Sequence, residues 1–246
     1  QNPENTPFEP HRSGEKRPAG VRCLVLYPMN ALVEDQLARL RKTLDSADVR
    51  QAMDDLFSGN RIFFGRYTSE TPVTGFESHP RIPAEEQRKR KHSSVQRLFQ
   101  EMINFGRAQR MICEAISADD SKLKDDDQFL FPSIDGAELL SRWDMQQSPP
   151  DILITNVSML GAMLNREVDA PIFEKTKQWL ENDDDSYFYL VLDELHLQRG
   201  AAGTEVAYLI RLLLYKLGLS NPALRHKVRV LSSSASLPAD GLEGQR

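Results

Sequence analysis

The stretch YFYLVLDELH, residues 187–196, joins a short apolar run to two adjacent carboxylates. The apolar part has the length and composition of a β-strand that is buried on both of its faces. Such strands belong to parallel sheets, whose two faces are covered by helices. The stretch therefore predicts an α/β fold in which Asp193 and Glu194 follow the carboxyl end of an inner strand.

Four further apolar runs have the same character. They are CLVLY (residues 23–27), RIFF (61–64), DILIT (151–155) and VRVLS (228–232). After the first run, apolar residues recur at helical spacing from Leu32 to Leu44, with charged residues on the opposite side. Buried strands that alternate with amphipathic helices predict a three-layer α/β domain with a parallel sheet.

Two segments interrupt this alternation. Residues 1–20 are rich in Pro, Gly and charge without apolar periodicity, which predicts a disordered end or a linker. The segment from about residue 72 to 149 is far longer than an ordinary connection of an α/β unit. It begins with a helical pattern from about residue 84 to 117, whose first turns carry the basic run RKRK, residues 88–91. We expect one domain over residues 21–246 with a mainly helical insertion at about residues 72–149.

Composition excludes several classes of protein. The net charge is −5, so contact with nucleic acid must rest on local groups and not on overall charge. Two cysteines, Cys23 and Cys113, provide neither a disulfide framework nor a CxxC metal site. No apolar run is long enough to cross a bilayer, and the first residues lack the apolar centre of a signal peptide. We expect a soluble, cytoplasmic protein without a membrane partner.

Asp193 and Glu194 admit two interpretations. In nucleotide hydrolases, an Asp at a strand end holds Mg²⁺, and an acidic neighbour orients or deprotonates the attacking water. In the alternative, Asp193 caps the following helix, where a carboxylate faces the positive helix end. His196 follows closely, and the hydroxyl-rich turn SSAS, residues 233–236, could accept hydrogen bonds from its imidazole. Acidic strand ends are common, so this segment alone leaves both interpretations open.

Together these residues resemble motifs of the DEAD/DEAH-box helicases of superfamily 2. DELH is similar to the DExH Walker B element of that family, and Ser234-Ala235-Ser236 is similar to its SAT motif. YPMNALVEDQ, residues 27–36, resembles the PTxxLxxQ element, and TNVSML, residues 155–160, resembles the later TxPxxL element. These elements occur in the order of the family and span about residues 21–237. RWDM, PPDILITN and DELHLQRGAAGTEVAYLIR look most similar to large bacterial helicases of DNA repair and phage defence.

The resemblance implies a RecA-like P-loop NTPase fold and an ATP- and Mg²⁺-dependent motor that unwinds or moves along DNA, or RNA. Asp193 would hold the metal, Glu194 would act on the attacking water, and His196 would complete the catalytic set. Ser234 and Ser236 would contact the nucleotide site and link its state to the grip on nucleic acid.

A further set of residues is predicted to contact the nucleic-acid backbone. Each lies just beyond a predicted strand, where open parallel sheets bind ligands. The set consists of Pro28, Asn30, Arg66, Tyr67, Thr155 and Asn156. Arg66 and Tyr67 lie in GRYTSETP, which resembles another loop of the family, and could pair a phosphate and stack on a base. For Asn30 and Asn156 the alternative role is helix N-capping, and the basic run is more typical of a solvated helix face.

The sequence departs from the family pattern at the phosphate-binding loop. No GxxxxGK[ST] occurs, and no strand and helix of the family type precede Tyr27. The second RecA-like domain, which completes the ATP cleft, is also missing. We therefore expect an incomplete domain whose P-loop and second RecA-like domain belong to the remainder of the helicase chain, and which is inactive by itself. A degenerate family member that does not hydrolyse ATP is the alternative.

The sequence is also compatible with two other functions. A metal-dependent nuclease or phosphatase could use Asp193 and Glu194, although no second acidic cluster follows another strand as a two-metal site requires. A non-catalytic module that binds nucleic acid or a protein could keep a degenerate motor fold.

Overall fold

Five parallel strands form a single sheet. The computed structural model describes residues 9–12, 14–28, 31–118, 124–197 and 200–234. The strands are β1 (Cys23–Tyr27), β2 (Phe64–Tyr67), β3 (Ile152–Asn156), β4 (Phe188–Leu192) and β5 (Val228–Ser232). Their order across the sheet is β2-β3-β1-β4-β5, and every neighbouring pair is parallel. The predicted α/β class with a parallel sheet is confirmed.

Helices connect the strands. They are α1 (Ala31–Leu44), α2 (Ala47–Phe57), α3 (Ala84–Ser117), α4 (Arg142–Gln147), α5 (Val157–Asn165), α6 (Ala170–Asn182) and α7 (Gly200–Lys216), with short 3₁₀ turns at Asp125–Leu130, Glu167–Asp169, Leu195–Leu197 and Arg225–Lys227. In the part of the chain that the structure describes, no helix combines the length and apolar character needed to cross a membrane.

The apolar run RIFF predicts a strand at residues 61–64, but in the structure β2 begins and ends later in the sequence. Phe63 lies before β2, although its carbonyl accepts a hydrogen bond from Ile152 N at 3.0 Å. The strand continues through the polar Arg66 because that residue pairs with Ile154 of β3. Pairing with a neighbouring strand decides where β2 ends, and the sequence pattern does not show that pairing.

Helices lie on both faces of the sheet. On one face, called the α1 face, Glu34 of α1 forms an ion pair with Arg66 of β2. On the opposite face, called the α7 face, Leu24 and Leu153 pack against Phe173 of α6 and Leu213 of α7. Each fully buried side chain of this size contributes roughly 1.5–3 kcal/mol by leaving water. The two faces together provide the core.

The insertion packs against the sheet domain through a buried ion pair. Arg41 of α1 donates to both carboxylate oxygens of Glu138, at 2.5 and 3.0 Å. The same guanidinium donates to the carbonyls of Phe129 and Leu130 at 3.2 and 2.8 Å. Bidentate pairing of this kind fixes orientation as well as distance. The helix predicted at about residues 84–117 is confirmed as α3, although only Leu98 and Gly106 are buried along it.

Arg12 and Arg17 contact the amino-terminal end of β3 through Asp151. Arg12 is buried and donates to Pro149 O at 2.7 Å, and its guanidinium reaches Asp151 at 3.3 Å. The Asp151 carboxylate also accepts from Arg22 at 2.6 Å and from Phe63 N at 2.9 Å. The described part of the stretch predicted to be a linker therefore packs onto the sheet. Its contacts are ionic, so a search for apolar periodicity does not detect them.

We expect Asp151→Asn to destabilise the fold by about 3 kcal/mol, since removing the negative charge of Asp151 leaves excess positive charge in a buried ion cluster. Asp151 is 3% exposed and faces Arg12, Arg17 and Arg22. The matched control is Asp35→Asn, because Asp35 is 64% exposed where it pairs with Arg39. Such an exposed pair contributes less than about 1 kcal/mol. Denaturant unfolding of both variants measures the difference, and equal losses would contradict the central role of Asp151.

Candidate functional site

The carboxyl ends of β4 and β5 bring together the acidic and hydroxyl residues singled out by the sequence. Asp193 follows β4, and its amide donates to Leu26 O at 3.2 Å. Ser233 follows β5, and its amide donates to Leu192 O at 3.0 Å. The Ser233 hydroxyl donates to Asp193 Oδ1, which also accepts from Glu194 N at 3.0 Å. These bonds hold the Asp193 carboxylate at the edge of the sheet.

The backbone turns sharply at Glu194. This residue has φ 51°, in the left-handed region that side chains other than Gly seldom adopt. The next amide, Leu195 N, donates to Ser233 O at 3.0 Å. Since α7 begins at Gly200, Asp193 lies well before it and does not cap that helix. Strained conformations of this kind concentrate at functional sites.

His196 connects the DELH segment to the turn after β5. Its Nδ1 lies 3.1 Å from Glu194 Oε2 and 3.4 Å from Ser234 Oγ. Glu194 Oε2 is buried from solvent. The structure thus places Glu194, His196 and Ser234 next to one another, whereas Ser236 lies outside the described residues.

The sequence predicted Ser233 only as part of the SSAS turn beside His196, and not as a partner of Asp193. The register of β4 and β5 pairs Leu192 with Ser232, so the following residues, Asp193 and Ser233, face each other. Aligning the carboxyl ends of neighbouring parallel strands is the signal that could have found it.

Tyr27 is a second residue whose place at the site was not expected. It ends β1 and is buried. Burial, and then the negative charge of Asp193, raise the pKa of Tyr27 to about 12. Its hydroxyl therefore stays protonated beside the acidic group. Across the described residues, His, Cys, Asp and Glu side chains do not gather in groups of three suited to a metal ion.

Residues predicted to contact nucleic acid lie at the same edge of the sheet. Pro28 directly follows β1 and is half-buried, and Asn30 lies outside the described residues. Asn156 ends β3, and its side chain accepts from Met159 N at 2.7 Å. The N-capping role considered for Asn156 is therefore present at the start of α5.

Tyr67 and Thr155 are enclosed by the fold. Both are fully buried, and Thr155 Oγ1 donates to Tyr67 O at 2.7 Å. The Tyr67 hydroxyl contacts Asp169 Oδ1 and accepts from Gln146 Nε2 at 2.8 Å. The Arg142 guanidinium lies 5.2 Å from the centre of the Tyr67 ring. Base stacking by Tyr67 and a phosphate contact by the Thr155 hydroxyl are not compatible with this packing, because side chains of the insertion and of the segment before α6 occupy the space.

Arg66 remains near the surface, with its side chain 23% exposed. Its guanidinium forms an ion pair with Glu34 of α1 and lies 3.4 Å from Glu70. Any phosphate that binds Arg66 must therefore compete with these carboxylates.

Comparison with known proteins finds a similarity in sequence to part of a much longer bacterial protein. No family model matches the chain. The chain is similar to Druantia protein DruE of Escherichia coli (strain UMEA 4076-1). The two are 37% identical over 241 residues, which cover 89% of this chain and 13% of DruE. The chain thus spans about an eighth of that relative. In the crystal structure of the DUF1998 helicase MrfA, a match covers 89% of this chain and 20% of MrfA, with a TM-score of 0.40 and 18% identity.

Glu194→Gly is expected to be about 1 kcal/mol more stable than Glu194→Ala, because Gly adopts the left-handed conformation of this position without a steric penalty. Both variants remove the carboxylate, so their difference isolates the backbone. Thermal or denaturant unfolding of the pair provides the measurement. Equal stability would show that the turn at Glu194 is not strained.

Proposed function

We propose that this chain is part of an ATP-dependent helicase or translocase that acts on DNA, or RNA, and that it forms an incomplete RecA-like motor domain. The observation that supports the proposal is the meeting of Asp193, Glu194, His196 and Ser234 at the carboxyl ends of β4 and β5. Parallel α/β sheets bind their ligands at this edge. We infer a role in phage defence or DNA repair from the similarity to DruE and from the motifs.

Asp193 has the donor atoms that Mg²⁺ prefers. This cation is commonly held by one or two carboxylates together with waters and substrate phosphates. Ser233 and the Glu194 amide both bind Asp193 Oδ1 and so restrict the orientation of the carboxylate. Bound ATP would supply the phosphoanhydride that is cleaved. Asp193 would hold the cation that accompanies its phosphates.

Glu194 is proposed to orient the attacking water and to accept its proton. Its buried Oε2 lies 3.1 Å from His196 Nδ1. His196 also contacts Ser234, and Ser234 and Ser236 are proposed to link the state of the nucleotide to the binding of nucleic acid. Because β4 and β5 are joined through these side chains, a change at the nucleotide can be transmitted to the turn after β5.

The nucleic-acid contacts are proposed to be directed to the backbone. Pro28, Asn156 and Arg66 lie at or near the carboxyl ends of β1, β3 and β2. We propose the same kind of contact for Asn30. Contacts of this type position a strand without reading its bases. We therefore expect binding that is largely independent of sequence.

ATP hydrolysis is proposed for the longer protein and not for this chain alone. The sequence contains no GxxxxGK[ST], whose backbone amides and lysine hold the triphosphate in P-loop enzymes. We propose that a P-loop and a second RecA-like domain from the rest of the protein complete the site. A non-catalytic module with a motor-like shape is the alternative, and the Glu194 variants below separate the two.

In the longer protein, Glu194→Gln is expected to lower ATP turnover by about 10²- to 10⁴-fold, the usual contribution of a general base. This corresponds to roughly 3–5 kcal/mol of barrier. Nucleotide affinity should persist, because Asp193 and the P-loop provide most of the binding. Single-turnover hydrolysis and nucleotide titration measure the two effects.

Two controls accompany this experiment. Asp193→Asn is expected to weaken both Mg-ATP binding and hydrolysis, whereas Glu205→Gln, at an exposed position of α7, should change neither. Hydrolysis by Glu194→Gln close to that of the unmodified protein would remove Glu194 from the catalytic set and favour the non-catalytic alternative.

Arg66→Ala is expected to weaken single-stranded DNA binding and to reduce the log-log salt slope by about 0.7, the value for one lost phosphate contact. Glu34→Gln should strengthen binding, because it removes the carboxylate that pairs with Arg66. Lys89→Ala is the control, since Lys89 is 79% exposed on α3. The affinity of each variant for single-stranded DNA, measured from low to moderate salt concentration, tests this prediction. A larger effect of Lys89 than of Arg66 would place the interface on the insertion.

A further inference from the structure

A cavity of about 120 Å³ lies between α1, the end of β2 and the insertion. Its apolar walls come from the insertion and include Pro72, Phe105, Leu130, Phe131 and Pro132. Pockets for whole small molecules ordinarily measure about 300–1,000 Å³. This cavity is therefore too small for a complete nucleotide or cofactor, and it suits a group of the size of a single aromatic ring system.

The walls of the cavity are held in place by buried contacts. Arg41 donates to two carbonyls of the 3₁₀ turn Asp125–Leu130, at 3.2 and 2.8 Å. On the other side, α3 packs closely against the segment after this turn. A Cβ atom at Gly106 would lie only 2.6 Å from Ile134 Cδ1. Because Gly106 has no side chain, this close contact is possible, and it fixes the position of the neighbouring Phe105.

Arg66 connects the cavity to the proposed nucleic-acid contacts. Its side chain is 23% exposed and lines the cavity. Successive side chains of a strand point to opposite faces of the sheet, so Tyr67 lies away from the cavity and is enclosed. In a nucleic acid, each phosphate is joined to a base through one sugar. A phosphate at Arg66 would therefore bring a base within reach of the cavity and out of reach of the Tyr67 ring.

The charged groups of the cavity are already paired with one another. Glu34 forms an ion pair with Arg66, and both carboxylate oxygens of Glu138 accept from Arg41. Two positive and two negative side chains line the space, so it has no excess charge to attract a free anion. The walls thus offer apolar and aromatic surface for the flat face that every base has. Such contact agrees with binding that is largely independent of sequence.

We propose that this cavity binds one unstacked base of a single-stranded nucleic acid whose backbone phosphate is bound by Arg66. Phe105 and Phe131 provide the aromatic surface against which the base packs. The insertion thereby supplies the base contact that the enclosed Tyr67 cannot make. The inference rests on the proposed function in one respect, namely that this chain binds single-stranded nucleic acid.

The binding of two single-stranded probes tests the proposal. One is an oligothymidine, and the other is an abasic strand with the same number of phosphates. Phe105→Ala is expected to weaken oligothymidine binding about tenfold, a usual effect of one lost base stack, and to leave the affinity for the abasic strand unchanged. The log-log salt slope should also stay the same, because stacking displaces no counterions, whereas Arg66→Ala lowers it.

Three further variants separate stacking from folding. Phe105→Tyr keeps an aromatic ring and should bind oligothymidine like the unmodified chain. Phe105→Leu keeps apolar bulk without a ring, so it should retain the melting temperature and still lose most of the affinity that Phe105→Ala loses. Phe99→Ala is the matched control, because Phe99 lies on the same helix, is 54% exposed and does not line the cavity. It should change the affinity for neither probe.

The outcomes that overturn the proposal are distinct. Unchanged oligothymidine binding by Phe105→Ala would exclude a base in the cavity, and so would an equal loss of affinity for both probes. Full affinity of Phe105→Leu would show that the ring makes no stacking contact. If the unmodified chain binds neither probe at low salt, the proposed nucleic-acid binding fails and this inference fails with it. The first three results contradict the base site alone, because the chain still binds nucleic acid in each of them.

Discussion

The position of β1 between β3 and β4 is the constraint on which the molecule depends. Both neighbours pair with it in parallel and in matching register, so all three strands end at the same height. As a result Pro28, Asn156 and Asp193, each at or directly after the end of its strand, lie along one edge although they are far apart in the sequence. A shift of one residue in either pairing would reverse which side chains face the core.

The two edges of the sheet are chemically different. At the amino-terminal edge, Asp151 is buried among Arg12, Arg17 and Arg22, and every charge has a partner. At the carboxyl-terminal edge, Asp193 is held by a hydroxyl and an amide and has no arginine partner among the described residues. The first arrangement stabilises the fold, whereas the second is the place where we propose that a cation binds. This division agrees with the location of ligands in open α/β sheets.

The insertion explains why part of the predicted interface is closed. Gln146 of α4 and Asp169 before α6 both bind the Tyr67 hydroxyl, and burial together with the charge of Asp169 raises the pKa of Tyr67. A ring that completes a buried hydrogen-bond network cannot also offer its face to a base. Arg66, the preceding residue of β2, points to the other face of the sheet and stays accessible, although Glu34 competes for its charge. Because side chains alternate between the two faces of a strand, the adjacent residues Arg66 and Tyr67 have different surroundings.

The sequence by itself determined the α/β class, the parallel sheet, the helix at Ala84–Ser117 and the closeness of His196 to Ser234. These follow from apolar periodicity and from the rule that parallel strands share one carboxyl-terminal edge. Only the tertiary structure decided that Ser233 faces Asp193, that Tyr67 is enclosed and that Arg12 and Arg17 pack against Asp151. Strand register, the packing of a distant insertion and ion pairs between remote residues produce these features. Each depends on which segments become neighbours in space, and local sequence patterns carry no information about that.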